Sequence, residues 1–173
     1  CQKIALHMLS ALEVAHEANV LHRDVTPEAI VLEERPDGRL HARPTGFGLD
    51  KHLGDAADDP TAITMTGQGV GNPAYKAPET ILQGVLAPRT DRYALGVTLY
   101  ELAAGRRPNE GDSLSAMLAA HVRGEMTPLE EVRFDVSAEF RRFVHGLLAR
   151  DPLTRFQSAE EAREALERDA ASS

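Results

Sequence analysis

The chain of 173 residues sets 19 Lys and Arg against 27 Asp and Glu, a net charge of −8, with 42% hydrophobic and 27% charged positions. That is the composition of one mildly acidic globular domain, long enough to bury roughly 70% of the surface its unfolded form would expose. A lone cysteine, Cys1, excludes a disulfide scaffold, and the longest nearly uncharged apolar stretch, residues 93–99, falls far short of the ~20 residues of a membrane helix. Acidic charge without a Lys/Arg-rich run speaks against nucleic acid or an anionic membrane surface as the main partner. A cytoplasmic setting is expected. The chain opens on Cys, with helical periodicity from Gln2 and no secretory signal ahead of it, so a piece of a longer protein is expected too.

From the start of the chain, Ile4, Met8, Leu9, Leu12 and Ala15 recur every three or four residues and predict one buried stripe on a helix ending near Asn19. Next, Ile30, Val31 and Leu32 form a short β-branched run, Pro36-Asp37-Gly38 a turn, and residues 40–43 a returning strand. Residues 46–79 are dense in Gly, Pro, Asp and Thr with little periodicity, which predicts a long loop of a kind that is uncommon unless functional. Helical patterning resumes at Thr90, over 91–104, 113–123, 137–148 and 158–170. The last of these opens on a capping box, Ser158 with Glu161. Leu95, Leu99 and Leu102 form a stripe expected in the core. His7, His16, His41, His52, His121 and His145 show no metal-ligand spacing and read as surface or satisfied histidines.

Between the first helix and the hairpin lies His22-Arg23-Asp24-Val25-Thr26-Pro27-Glu28-Ala29, where a tight turn would hold the Asp24 carboxylate. Alone, a His-Arg-Asp triplet is ordinarily a solvated turn. Downstream, in order, come Gly46-Phe47-Gly48, Gly71-Asn72-Pro73-Ala74-Tyr75-Lys76-Ala77-Pro78-Glu79, Asp91-Arg92-Tyr93-Ala94-Leu95-Gly96 and Arg150-Asp151-Pro152-Leu153-Thr154-Arg155. This series resembles the C-terminal lobe of eukaryotic-like (bacterial Hanks-type) serine/threonine protein kinases, over the whole chain. The Val25-Thr26-Pro27 variant is similar to a bacterial branch. The resemblance implies a mainly α fold with a small β-hairpin, the C-lobe of the α+β kinase-like fold. It implies one unit over 1–173, with a catalytic loop at 22–32, an activation segment at 46–79 and a helical base at 90–170. The Gly-rich loop, Val-Ala-Ile-Lys strand and helix Glu of an N-lobe do not occur in these residues.

By the same resemblance, Asp24 is the catalytic-loop aspartate that accepts or orients the substrate hydroxyl proton, a positioned base worth about 10²–10⁴ in rate. Thr26 stands where most members have Lys, and Asn72 where the Thr facing that Lys would be. A Thr26–Asn72 hydrogen bond is therefore expected to preserve loop geometry without supplying charge. His22 and Phe47 are implied to pack together, anchored by Asp91, and Glu79 to form a buried ion pair with Arg155. Val31 is implied as the lower contact of an adenine ring. Arg23 is implied to pair with a phosphorylated residue, with Thr61, Thr64 and Thr66 as possible phosphosites, against the alternative of a solvated Thr-rich loop.

Two departures carry most weight. The positions of the metal-binding Asp and Asn are Gly46 and Ala29, neither of which has a side-chain oxygen, and Mg²⁺ is bound through oxygen. Glu28 and Asp50 are the neighbouring carboxylates. ATP and Mg²⁺ are implied by resemblance only, and a C-lobe lacking both ligands is expected to bind them poorly or not at all. The resulting expectation is a pseudokinase that acts by binding or scaffolding a protein partner. The alternatives are an active or weakly active kinase, transferring the ATP γ-phosphate to Ser/Thr of a protein substrate with Asp24 as base, and a decayed gene product.

Overall fold

The computed structural model describes residues 1–47 and 71–171. Helix α1 (Gln2–Glu17) leads through a 3₁₀ turn (Pro27–Ala29) into strands β1 (Ile30–Glu34) and β2 (Leu40–Pro44). After a second 3₁₀ turn (Pro73–Tyr75) come α2 (Pro78–Gln83), α3 (Pro88–Ala104), α4 (Leu114–Arg123), α5 (Leu129–Val132), α6 (Ala138–Leu147) and α7 (Ala159–Ala171). The fold is mainly α with one two-stranded antiparallel sheet among the described residues, as the family resemblance implies.

The organising element is α3. Residues 90–100 are all buried, so the helix has no solvated face and other elements must cover it on every side. On one side α6 packs against it, and a Cβ at Gly96 would lie 2.9 Å from Leu147 Cβ. Only a missing side chain lets the two helices close to that distance. Leu95, Leu99 and Tyr100 of α3 share a continuous core with Met8, Leu9 and Leu12 of α1 and Phe143, Val144 and Leu147 of α6. Helix α1 packs in turn on α7 and on β2. The hairpin runs in the register that sets Ile30 opposite Pro44 and Glu34 opposite Leu40. The Ala42 N–H donates to His7 Nδ1 at 3.1 Å, tying the hairpin to α1.

Helix starts follow their caps. Ser113 and Ser137 sit just outside α4 and α6, where their hydroxyl oxygens accept from the N–H groups of Ala116 and Phe140. Helix α3 starts earlier than its hydrophobic pattern, at Pro88, because a proline at the first helical position already has the φ that the helix needs.

The structure corrects several expectations. In α1 the inward stripe is Ala5, Met8, Leu9 and Leu12, with Ile4 and Ala15 only half-buried. Leu102 is 39% exposed, since the last turn of α3 emerges from the core. The Ser158 hydroxyl accepts from the Glu161 N–H, but the Glu161 carboxylate reaches one residue further out and accepts from the Gln157 N–H at 2.6 Å, so the box is not reciprocal. The segment 46–79 ends in structure, a 3₁₀ turn followed by α2. Six residues are too few for a helical period to show, and Pro78 starts α2 where a turn proline would otherwise be read. Asp50, His52, Thr61, Thr64 and Thr66 lie outside the described residues.

Candidate active site

The loop from His22 to Thr26 is shaped by two side chains of α3. The Asp91 carboxylate, 1% exposed, accepts from the His22 N–H through Oδ2 and from the Arg23 N–H through Oδ1, each at 2.8 Å. His16 of α1 closes on the same Oδ2 through Nε2 at 2.8 Å. Thr98 then donates its hydroxyl to the Val25 carbonyl at 2.9 Å. Asp91 and Thr98 are seven residues apart, two helical turns, so both face the loop and hold it at points about 10 Å apart along the helix. Between those points Arg23 takes a left-handed conformation, φ 69°, which a non-glycine residue adopts only where its surroundings enforce it. Here the Asp91 bonds to the His22 and Arg23 N–H groups, with the Thr98 bond to the Val25 carbonyl beyond, supply that enforcement. The His22 ring stacks at a tilt against Phe47, centroids 4.5 Å apart, and burial pushes the His22 imidazole below its usual pKa against the pull of Asp91.

Asp24 is thereby presented at the loop's apex. Its Oδ1 accepts from the Asn72 N–H at 2.9 Å, and Oδ2 makes no hydrogen bond among the described residues. Gly71 makes this contact possible: at φ 83° its hypothetical Cβ would lie 2.6 Å from the Arg23 carbonyl oxygen. The Asn72 side chain does not meet Thr26. Its Oδ1 accepts from the Ala74 N–H at 3.1 Å, capping the second 3₁₀ turn, so the expected Thr26–Asn72 bond is replaced by a backbone bond to Asp24 itself. Thr26 is buried, 5% exposed. An aspartate fixed through one oxygen, with the other free, can accept a proton from a hydroxyl placed beside it.

Glu79 and Arg155 meet beneath this site. Arg155 Nη1 donates to Glu79 Oε1 at 2.8 Å and Nη2 to Oε2 at 3.2 Å. The remaining donors go to the carbonyl oxygens of Arg89 and Ala149, so all five guanidinium N–H groups are used. The guanidinium also lies 4.9 Å over the Tyr93 ring.

Several residues that shape the site carry no reading from sequence alone. Thr98, Gly71, Tyr75, Lys76 and Glu101 are of this kind. The Tyr75 hydroxyl donates to Glu101 Oε2 at 2.5 Å, and burial holds the phenol above its usual pKa. The Glu28 charge acts on Tyr75 in the same direction. Thr98 offers a signal in retrospect, a threonine two turns after Asp91 inside the apolar stretch 93–100.

The positions implied for a nucleotide and its metal are less furnished. Val31 is 38% exposed on β1, and Leu32 and Leu40, on the opposite face of the hairpin, are 51% and 58% exposed. Ala29 closes the first 3₁₀ turn, and its carbonyl oxygen accepts from both the N–H and the hydroxyl of Thr45. Gly46 follows at φ 87°. Among the described residues no three His, Cys, Asp or Glu side chains gather where they could share a metal ion. The residues present do not fit a Mg²⁺ site built at positions 29 and 46.

Comparison with known proteins agrees with this geometry. The protein kinase domain family matches residues 1–168. The serine/threonine-protein kinase Pkn3 of Myxococcus xanthus is 37% identical over 160 residues, covering 91% of this chain and 29% of that protein. PknL of Mycobacterium tuberculosis is 34% identical over 152 residues, covering 88% of this chain and 36% of that protein. The chain thus spans about a third of the length of these relatives. Among solved structures, the Rad53 kinase domain with its SCD2 segment in complex with AMPPNP superposes with a TM-score of 0.71 at 25% identity, covering 95% of this chain and 56% of that one. With a family match over nearly its whole length, and with an aspartate loop clamped to a buried helix, the chain belongs to the protein kinase domain family, among the bacterial Hanks-type serine/threonine kinases.

Proposed function

We propose that the chain is the C-terminal lobe of a serine/threonine kinase homologue that works, in the cytoplasm, by holding a protein partner rather than by transferring phosphate. The observation that carries this reading is the pair Ala29 and Gly46, standing where the family's oxygen ligands to Mg²⁺ would be. Phosphoryl transfer in this family rests on metal ions that neutralise charge developing on the phosphate, and positioning by Asp24 alone does not replace that charge. The bonds from Asp91, Thr98 and Asn72 that hold the Asp24 loop, by contrast, are all formed, which supports a surface that still receives a polypeptide.

A second reading is favoured by one observation, the Asn72 N–H that fixes Asp24 in the posture of a base. In that reading the protein transfers the γ-phosphate of ATP to Ser or Thr. Labelled-phosphate transfer by the full chain, with Mg²⁺ or Mn²⁺ and an Asp24→Asn control, separates the two. The binding reading expects no transfer above the control from a demonstrably folded protein. Transfer that disappears in Asp24→Asn overturns it.

A further inference from the structure

A two-stranded sheet leaves alternate N–H groups of each strand pointing away from the partner strand. On β2 the Ala42 N–H is one of these, opposite Leu32, and Ala42 is only 2% exposed, so solvent does not serve it. Its acceptor is His7 Nδ1 of α1, at 3.1 Å. An imidazole nitrogen that accepts carries no hydrogen, so the neutral His7 ring holds its proton on Nε2. The tie from α1 to the hairpin therefore exists only while His7 is neutral. A second proton would stand on Nδ1 and face the Ala42 N–H donor to donor.

The surroundings of His7 sharpen this dependence. The His41 ring of β2 lies against it, centroids 4.3 Å apart. Lys3 stands one turn earlier on α1, and Arg35 at the end of β1 acts on the ring from the hairpin. Glu33, opposite His41 across the strands, is held by Arg43 at 2.8 Å. Asp135, which lines the same groove as His7, is held by Arg133 at 2.7 Å. Burial first, then His41, Arg35 and Lys3, hold the imidazole below its usual pKa of 6.5.

We propose that His7 is a proton-released latch: neutral, it binds the hairpin to α1, and protonated, it lets the hairpin go. The latch has a route to the Asp24 loop. Beyond β2, the N–H and hydroxyl of Thr45 hold the Ala29 carbonyl, and the Phe47 ring lies on His22. Because folding lowers the His7 pKa, the hold is complete above pH 6.5 and is lost as the pH falls through the lower folded-state value.

The test is amide hydrogen exchange of the full chain, followed by nuclear magnetic resonance between about pH 7.5 and about pH 5 and corrected for the intrinsic pH dependence of exchange. Val97, buried in the middle of α3, is the reference amide. Ala42 is expected to lose about tenfold in protection relative to Val97, with the same midpoint as the His7 imidazole. His7→Gln, whose side-chain oxygen accepts from the Ala42 N–H at every pH, is expected to remove the dependence and keep the protection. Lys3→Glu, which sets a carboxylate one turn from His7, is expected to move the midpoint to higher pH. Constant Ala42 protection while His7 titrates overturns the proposal, as does a pH dependence that persists in His7→Gln. Loss of protection at Val97 in step with Ala42 overturns it too, since the whole chain then opens rather than the hairpin.

Discussion

Replacing Arg155 with Met is expected to destabilise the full chain by about 4–5 kcal/mol, most of it from the carboxylate left behind. Glu79 is 7% exposed, and a buried charge stripped of its partner costs roughly 3–5 kcal/mol. The carbonyl oxygens of Arg89 and Ala149 lose their donors as well, at about 1 kcal/mol or more each. Against this, Met retains apolar contact with the Tyr93 ring that Arg155 covers at 4.9 Å. For a domain of this size each kcal/mol moves the midpoint by roughly 2–4 °C, so the melt should fall by about 10–15 °C. Urea unfolding followed by far-ultraviolet circular dichroism gives the free energy directly. The double variant Glu79→Leu with Arg155→Met removes both charges and should recover at least about 2 kcal/mol relative to the sum of the single changes. A single variant within about 1 kcal/mol of the parent, or strict additivity in the cycle, would refute the view that this pair is electrostatically coupled inside the fold.

His121 is 1% exposed, its Nδ1 meets the Tyr93 hydroxyl at 2.8 Å, and burial pushes its pKa down to about 4. The unfolded chain takes up that proton near pH 6.5, so this contribution is fully present above 6.5 and is lost as pH falls through about 4, by up to about 3 kcal/mol. His121→Gln should flatten the stability profile in that window; an unchanged slope in urea midpoints would contradict it. Both side-chain polar atoms of Asn109, 3% exposed, lack hydrogen-bond partners among the described residues. Asn109→Leu, which keeps the number of side-chain heavy atoms, should therefore raise stability by about 1–3 kcal/mol, and a lower melting temperature would count against this. Gly71→Ala adds a Cβ 2.6 Å from the Arg23 carbonyl oxygen at a left-handed φ, and should cost about 1–3 kcal/mol and displace the Asn72 N–H from Asp24. Denaturant midpoints equal to the parent would show that the loop yields freely.

Much of this molecule is legible in its sequence because local rules and order carry it. The periodicity of α1, α4, α6 and α7, the β-branched run before Pro36-Asp37-Gly38, and the serines ahead of α4 and α6 each act within a few residues. The ordered motifs bring Asp24, Asp91, Glu79 and Arg155 into view without coordinates. What stays hidden depends on contacts across long separations. Leu102 has the spacing of a core residue yet is 39% exposed, because in the last turn of α3 Ala103 rather than Leu102 faces the core. Asn72 has the composition of a partner for Thr26 and spends its side chain on Ala74 instead, because the turn it starts needs a cap.

The residues themselves decide that the chain folds as a helical lobe with one hairpin, that an aspartate stands at position 24 in a His-Arg-Asp triplet, and that no side-chain oxygen stands at positions 29 and 46. Side-chain chemistry is fixed by identity, so its presence or absence needs no fold to be read. Tertiary structure alone decides that Asp91 and Thr98 grip one loop from two turns of a buried helix, that Gly71 brings a backbone N–H to Asp24, and that His7 accepts the Ala42 N–H. These are distances between groups far apart in the chain, set by how the helices pack, and residue types do not encode distance.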